Sequence, residues 1–123
     1  IGKIVSIARD EMIQAVKPDI TTKDLDKIGE RVLASFGARS APQFEYQFPG
    51  ATCISINDEA AHGIPGNRRL KREDMVNIDV SAELDGYFAD TGATVMIDDS
   101  SNSLKRRLKN CSQAALLSSI AQA

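Results

Sequence analysis

Two aspartates, Asp79 and Asp90, and the only histidine, His62, are the residues of this chain whose types and surroundings point to chemistry. Two carboxylates that converge can hold a divalent ion or share a proton, provided they lie on one face with little water between them. His62 opens the loop His62-Gly63-Ile64-Pro65-Gly66, close behind a short apolar strand, where an imidazole can be held toward a site. A solvated loop histidine is the ordinary alternative. The two cysteines, Cys53 and Cys111, are far apart in apolar surroundings and read as buried free thiols, not as a disulfide, a zinc site or a nucleophile.

The element that must position the aspartates is a β-hairpin running from Asp74 to Ile97. Val76, Ile78, Val80, Ala82 and Leu84 alternate with polar residues, and Asp85-Gly86 supplies a two-residue turn that tolerates positive φ. If Leu84 and Tyr87 close the turn, Asp79 stands opposite Gly92 and Ser81 opposite Asp90. Asp79 and Asp90 are then diagonal neighbours on one face, roughly 7–8 Å apart along the backbone. Acids on the wet face of a half-buried hairpin would need no further explanation. Met75, Asn77, Phe88 and Met96 share that face, however, and cover over it would force the acids toward a metal, a proton or a cation. Gly92 opposite Asp79 leaves room for an approaching group.

Apolar spacing predicts a first helix over residues 2 to 16, stopped by Pro18, with Ile4, Ile7, Ala8, Met12 and Ala15 inward. A second helix, capped by Thr21 or Thr22 with Asp24 near the capping-box position, turns Leu25, Ile28, Val32, Leu33 and Phe36 inward and stops at Gly37. Residues 38–50 read as a loop or short edge strand, whose Phe44, Tyr46 and Phe48 either pack under the loop or wall a pocket. Residues 53–57 form a short buried strand. The mixed charges from Arg68 to Asp74 read as a solvated turn. After a polar linker at 98–103 a third helix turns Leu104, Leu108, Cys111 and Ala115 inward and Lys105, Arg106, Arg107 and Lys109 to water.

The chain has 123 residues, 42% hydrophobic and 26% charged, which suits one domain with one core. Fifteen basic against seventeen acidic residues give a net charge of -2, which argues against a nucleic-acid partner. No run of 18 apolar residues, leader or lipidation motif is present, so no membrane partner and a cytoplasmic location are expected. The chain opens on Ile1 and stops within a helical pattern at Ala123, as a piece of a larger protein would.

Four blocks, Cys53-Ile-Ser-Ile-Asn57, His62-Gly-Ile-Pro65, Val76-Asn-Ile-Asp-Val-Ser81 and Asp85-Gly-Tyr-Phe-Ala-Asp-Thr-Gly92, resemble in order and spacing the type I methionine aminopeptidases. The resemblance runs the length of the chain. It implies an α+β fold, one half of the pita-bread (creatinase/aminopeptidase) fold, with helices packed on an antiparallel sheet built on the hairpin. It also implies that residues 1–123 are a single domain and the first half of a catalytic unit.

By the same resemblance Asp79 and Asp90 are metal ligands, Asp90 bridging two divalent ions and Asp79 bidentate to one. The implied ions are cobalt, manganese, iron(II) or zinc, and the implied reaction is attack of an activated water on the peptide carbonyl. His62 is implied to hydrogen-bond substrate near the scissile amide, and Phe48 and Cys53 to line the methionine pocket. The substrate would be a peptide or nascent-protein N-terminus beginning with Met, with the ribosome as a partner. Glu45 and Tyr46 depart from the family, which often has a tyrosine and a histidine there, and Glu73 replaces a common glycine. The family's further histidine and two glutamates have no counterpart here, so the chain alone should be inactive. A related Xaa-Pro aminopeptidase or prolidase would also place two aspartates on this hairpin, although the cysteine block and histidine loop favour the methionine enzyme. A metal-free pita-bread binding module would be expected to lose the ligands that this chain keeps.

Overall fold

A computed structural model of the chain describes residues 1–98 and 103–123. The elements run α1 (Gly2–Ala15), α2 (Thr22–Ser35), β1 (Arg39–Ser40), α3 (Ala41–Tyr46), β2 (Cys53–Ile56), β3 (Met75–Leu84), β4 (Tyr87–Met96) and α4 (Ser103–Gln122). β3 is the spine. It pairs antiparallel with β4 along its whole length, with β2 beside its first half and with β1 near its end.

The period-two alternation of β3 divides the sheet into a dry and a functional face. Val76, Ile78, Val80 and Ala82 are fully buried beneath α1 and α2, joined by Val5, Ala8 and Met12 of α1 and Leu25, Val32 and Leu33 of α2. Burying a side chain such as Leu25 or Ile78 contributes about 1.5–3 kcal/mol, so this layer holds the sheet to its helices. Gly29 permits the close crossing of α1 and α2, since a Cβ there would stand 2.6 Å from Met12 Sδ. Thr21 caps α2 as expected: its hydroxyl accepts from the Asp24 amide (3.0 Å) and donates to the Asp24 carboxylate (2.7 Å). Such a cap contributes about 1 kcal/mol.

Several expectations need correction. Residues 38–50 contain the edge strand β1, but the stretch bearing Phe44 and Tyr46 is a short helix, α3, because Ser40 accepts from the Gln43 amide and Pro42 fits the first turn. In the charged run Leu70 and Asp74 are buried, Asp74 accepting from the Lys71 amide and from Asn57. Cys111 is exposed, not buried. On α4 the expected faces hold only in part: Lys105, expected in water, reaches the body and donates to Asn57 Oδ1 and the Glu73 carbonyl, both at 2.9 Å, while Leu104 is exposed and Leu108, though more than half exposed, lines a small cavity with Asn57 and Asn77. The expected linker at 98–103 falls mostly on residues 99–102, outside the described residues. Among the described residues no helix is long and apolar enough to cross a membrane.

Candidate metal centre and substrate pocket

The hairpin register is the one its turn chemistry predicts. Asp85 and Gly86 both take positive φ (53° and 85°), the conformation a tight two-residue turn requires, and the Gly86 amide donates to Glu83 at 2.6 Å. Leu84 therefore pairs with Tyr87, Ser81 with Asp90 and Asp79 with Gly92. On the other side of β3, Asp79 stands across from Cys53. One row of the sheet thus reads Cys53, Asp79, Gly92, with Asp90 one step along. A Cβ at Gly92 would lie 3.9 Å from Asp79 Oδ1, within contact of the carboxylate it now leaves open.

Sequence spacing alone could not give the electrostatics of this row. Burial, then a hydrogen bond with Asp90 and the charge of Asp90, push the Asp79 carboxyl from its usual 3.8 up to about 6, and nearby His62 opposes the rise. Asp79 Oδ1 is buried and makes no hydrogen bond, whereas Asp90 accepts from the Ser81 hydroxyl. An orphaned carboxylate oxygen beside a second carboxylate is costly in the protein alone and is satisfied by a hard cation. The donor set fits a divalent ion. Cys53 is a poor nucleophile, because burial and then the charge of Asp79 raise its thiol to about 11.

His62 is brought to this row by backbone contacts. Ile54 N donates to the Gly63 carbonyl and Gly63 N to Ser55 Oγ, each at 3.0 Å, so the loop lies against β2. Only glycine fits at 63, where a Cβ would fall 2.0 Å from the Ile54 carbonyl oxygen. His62 itself has φ of 56°, in the left-handed region that few side-chain-bearing residues adopt. Farther along, the Gly66 amide and carbonyl both bond the Thr22 hydroxyl at the start of α2.

A cavity of about 950 Å³ opens over this face, and all five residues singled out from the sequence line it: Phe48, Cys53, His62, Asp79 and Asp90. Glu45, Tyr46, Ser81 and Phe88 complete much of the wall. Ser81 was not singled out, although the predicted register had already placed it across from Asp90. Asp26 was missed altogether. Its buried carboxylate accepts from the amides of Ala51 and Thr52 and from the Thr52 hydroxyl, tying α2 to the chain that enters β2 at Cys53. Thr22, Gly29 and Leu33 on the same side of α2 are buried too, but an acid among them names no partner from sequence alone. Among the described residues no group of three or more His, Cys, Asp or Glu side chains converges on one point.

With this geometry established, comparison with known proteins places the chain. Methionine aminopeptidase 2 of Bacillus subtilis is 48% identical over 124 residues, covering 100% of this chain and 49% of that protein. A methionine aminopeptidase of Staphylococcus epidermidis is 48% identical over 108 residues, 88% of this chain and 43% of its own length. The chain spans about half the length of the relatives it matches. Among solved structures, methionine aminopeptidase from Rickettsia prowazekii superposes with a TM-score of 0.87 at 35% identity, over 94% of this chain and 46% of that one. Prolidase from Pyrococcus furiosus, at 21% identity and a TM-score of 0.71 over 85% of this chain and 29% of its own, shares the fold. Helices on an antiparallel sheet are here part of a pita-bread fold. The model of metallopeptidase family M24 matches residues 1–123 throughout, and to that family this chain belongs.

Proposed function

We propose that residues 1–123 form a single domain, the first half of a metal-dependent aminopeptidase that removes an N-terminal methionine from peptides and new proteins. Membership of a metallopeptidase family implies divalent metal ions. In this reading Asp79 and Asp90 hold two of them, and the oxygen donors suit cobalt, manganese, iron(II) or zinc. When bound, such ions supply Lewis-acid polarisation and acidify water, so that a nucleophile is available at neutral pH.

The chain's own residues do the rest. Asp90 is oriented by the Ser81 hydroxyl, and Asp79 keeps one oxygen free for a cation. His62, held by the Gly63 contacts with β2, reaches into the cavity to donate or accept a hydrogen bond at the scissile amide. Phe48 and the protonated thiol of Cys53 give an unbranched apolar side chain a soft, uncharged wall. The substrate class is a peptide or nascent-protein N-terminus beginning with Met, met in the cytoplasm at the ribosome.

One observation carries the proposal: the buried, unpartnered oxygen of Asp79 beside Asp90, in a cavity shared with His62, Phe48 and Cys53. The test is methionine release from a Met-Ala-Ser peptide by an enzyme of the relatives' full length that begins with this chain, supplied with manganese or cobalt. Metal-dependent release of methionine, with no release from a Leu-Ala-Ser control, is expected. Release of Xaa from Xaa-Pro peptides in preference would overturn the substrate, and metal-independent release would overturn the mechanism.

A further inference from the structure

The mouth of the cavity carries a carboxylate for which the metal reading has no use. Glu45 lies at the end of α3, just before Gln47 turns the chain with a φ of 54°, and it lines the cavity together with Tyr46 and Phe88. It is exposed, and no hydrogen bond or ion pair engages its carboxylate among the described residues. The neighbouring cation is committed elsewhere: Arg39 pairs with Glu83 and lies 3.5 Å over the Phe44 ring. Phe88 stands directly across from Glu83 in the hairpin, so this pairing joins α3 to the strand that bears Phe88. Tyr46 is 82% exposed and Phe88 54%, two ring surfaces presented to water at a cavity entrance.

A carboxylate that lines one cavity with two accessible aromatic rings offers the chemistry that takes an ammonium or guanidinium group, through a charge-assisted hydrogen bond and cation–π contact. We infer that Glu45, Tyr46 and Phe88 form a cation subsite that accepts a lysine or arginine side chain shortly after the substrate's N-terminal methionine. The inference rests on the peptidase reading above and adds to it a preference for basic N-terminal sequences. Asp79 and Asp90 would be engaged by metal in the loaded enzyme, which would leave Glu45 as the carboxylate open to that side chain.

The experiment compares kcat/KM for Met-Ala-Lys-Ser and Met-Ala-Glu-Ser, and for the same pair with the charged residue one position farther on, using the full-length, metal-loaded enzyme. A preference for lysine of roughly five- to tenfold at low ionic strength, shrinking in high salt, is expected. Glu45→Gln should bring the ratio close to one, Glu45→Lys should invert it, and Tyr46→Leu should lower it in part. A lysine-to-glutamate ratio that neither Glu45 variant changes would overturn the cation subsite while leaving the peptidase reading intact. Absence of methionine release from every peptide would overturn both.

Discussion

Asp79 and Asp90 share one face of the hairpin without standing opposite each other: Asp79 faces Gly92, and Asp90 faces Ser81. The offset gives the two acids different surroundings. Asp90 has a hydroxyl donor, while Asp79 has glycine on one side, Cys53 on the other and one oxygen with no partner. Directly opposed acids would have met with maximal repulsion and left no gap. On the diagonal both carboxylates line the cavity, where an ion could reach them together.

Asp90→Asn keeps shape and removes charge, so the full-length enzyme should lose most of its bound metal and its peptidase rate together. Metal stoichiometry by atomic emission, alongside methionine release, checks this. Near-normal metal content in the variant would mean that Asp90 is not a ligand.

Asp79→Asn should act in opposite directions on function and on metal-free stability. The half-buried Asp79 carboxylate, with its buried and unpartnered Oδ1 beside Asp90, is a cost to the fold when no cation is present. The metal-free chain carrying the variant should therefore melt a few degrees higher than wild type at neutral pH, while metal-dependent stabilisation disappears. A lower melting temperature would show that the acid pair is not a source of strain.

The hairpin was legible because its register depends on local facts alone: period-two alternation and an Asp-Gly turn whose residues both accept positive φ. That register carried Asp79 and Asp90 with it. Glu73 marked its own departure, since it stands at a φ of 69° where glycine would be at ease. What could not be read depends on tertiary partners. The short helix around Phe44 follows from Ser40 acting as a cap, and the buried role of Asp26 follows from amides at residues 51 and 52 that the sequence does not place near it. On α4, Lys105 finds Asn57 and the Glu73 carbonyl, 48 and 32 residues away along the chain, contacts that apolar spacing does not signal.

His62 and Gly63 should separate chemistry from placement. His62→Ala leaves the loop in position, and turnover should fall roughly 10²-fold or more with metal affinity little changed. Gly63→Ala forces a Cβ onto the Ile54 carbonyl, so it should destabilise the fold by about 1–3 kcal/mol and also reduce turnover. Metal loss in His62→Ala would make His62 a ligand and overturn its assignment.

The Arg39–Glu83 pair sets a limit on acid stability. Hydrogen bonds from Arg39 and then from the Gly86 amide hold the Glu83 carboxyl below its usual value of 4.5. A group held low in this way contributes stability that is complete above the unfolded value and is lost as pH falls through the folded one. Arg39→Gln should therefore be less stable than wild type at pH 7, with the gap closing below about pH 4. Urea melts across that range test it, and a gap independent of pH would show that Arg39 acts only by packing on Phe44.

The 123-residue chain by itself should show no peptidase activity. Its ligand inventory on the cavity face is two carboxylates, and among the described residues no third His, Cys, Asp or Glu side chain converges with them. A dinuclear site must grip each ion with several groups and still keep a position open for water, so two acids bind divalent ions only weakly. The same chain presents Leu104, Leu108, Leu116, Leu117 and Ile120 of α4 to solvent, an apolar stripe that favours association. Methionine release in excess manganese or cobalt, with calorimetric titration of the metal and sedimentation of the chain, gives the test. No turnover, weak metal binding and concentration-dependent association are expected. Turnover approaching that of the full-length enzyme, or micromolar binding of two ions per chain, would show that this half supplies a complete metal site.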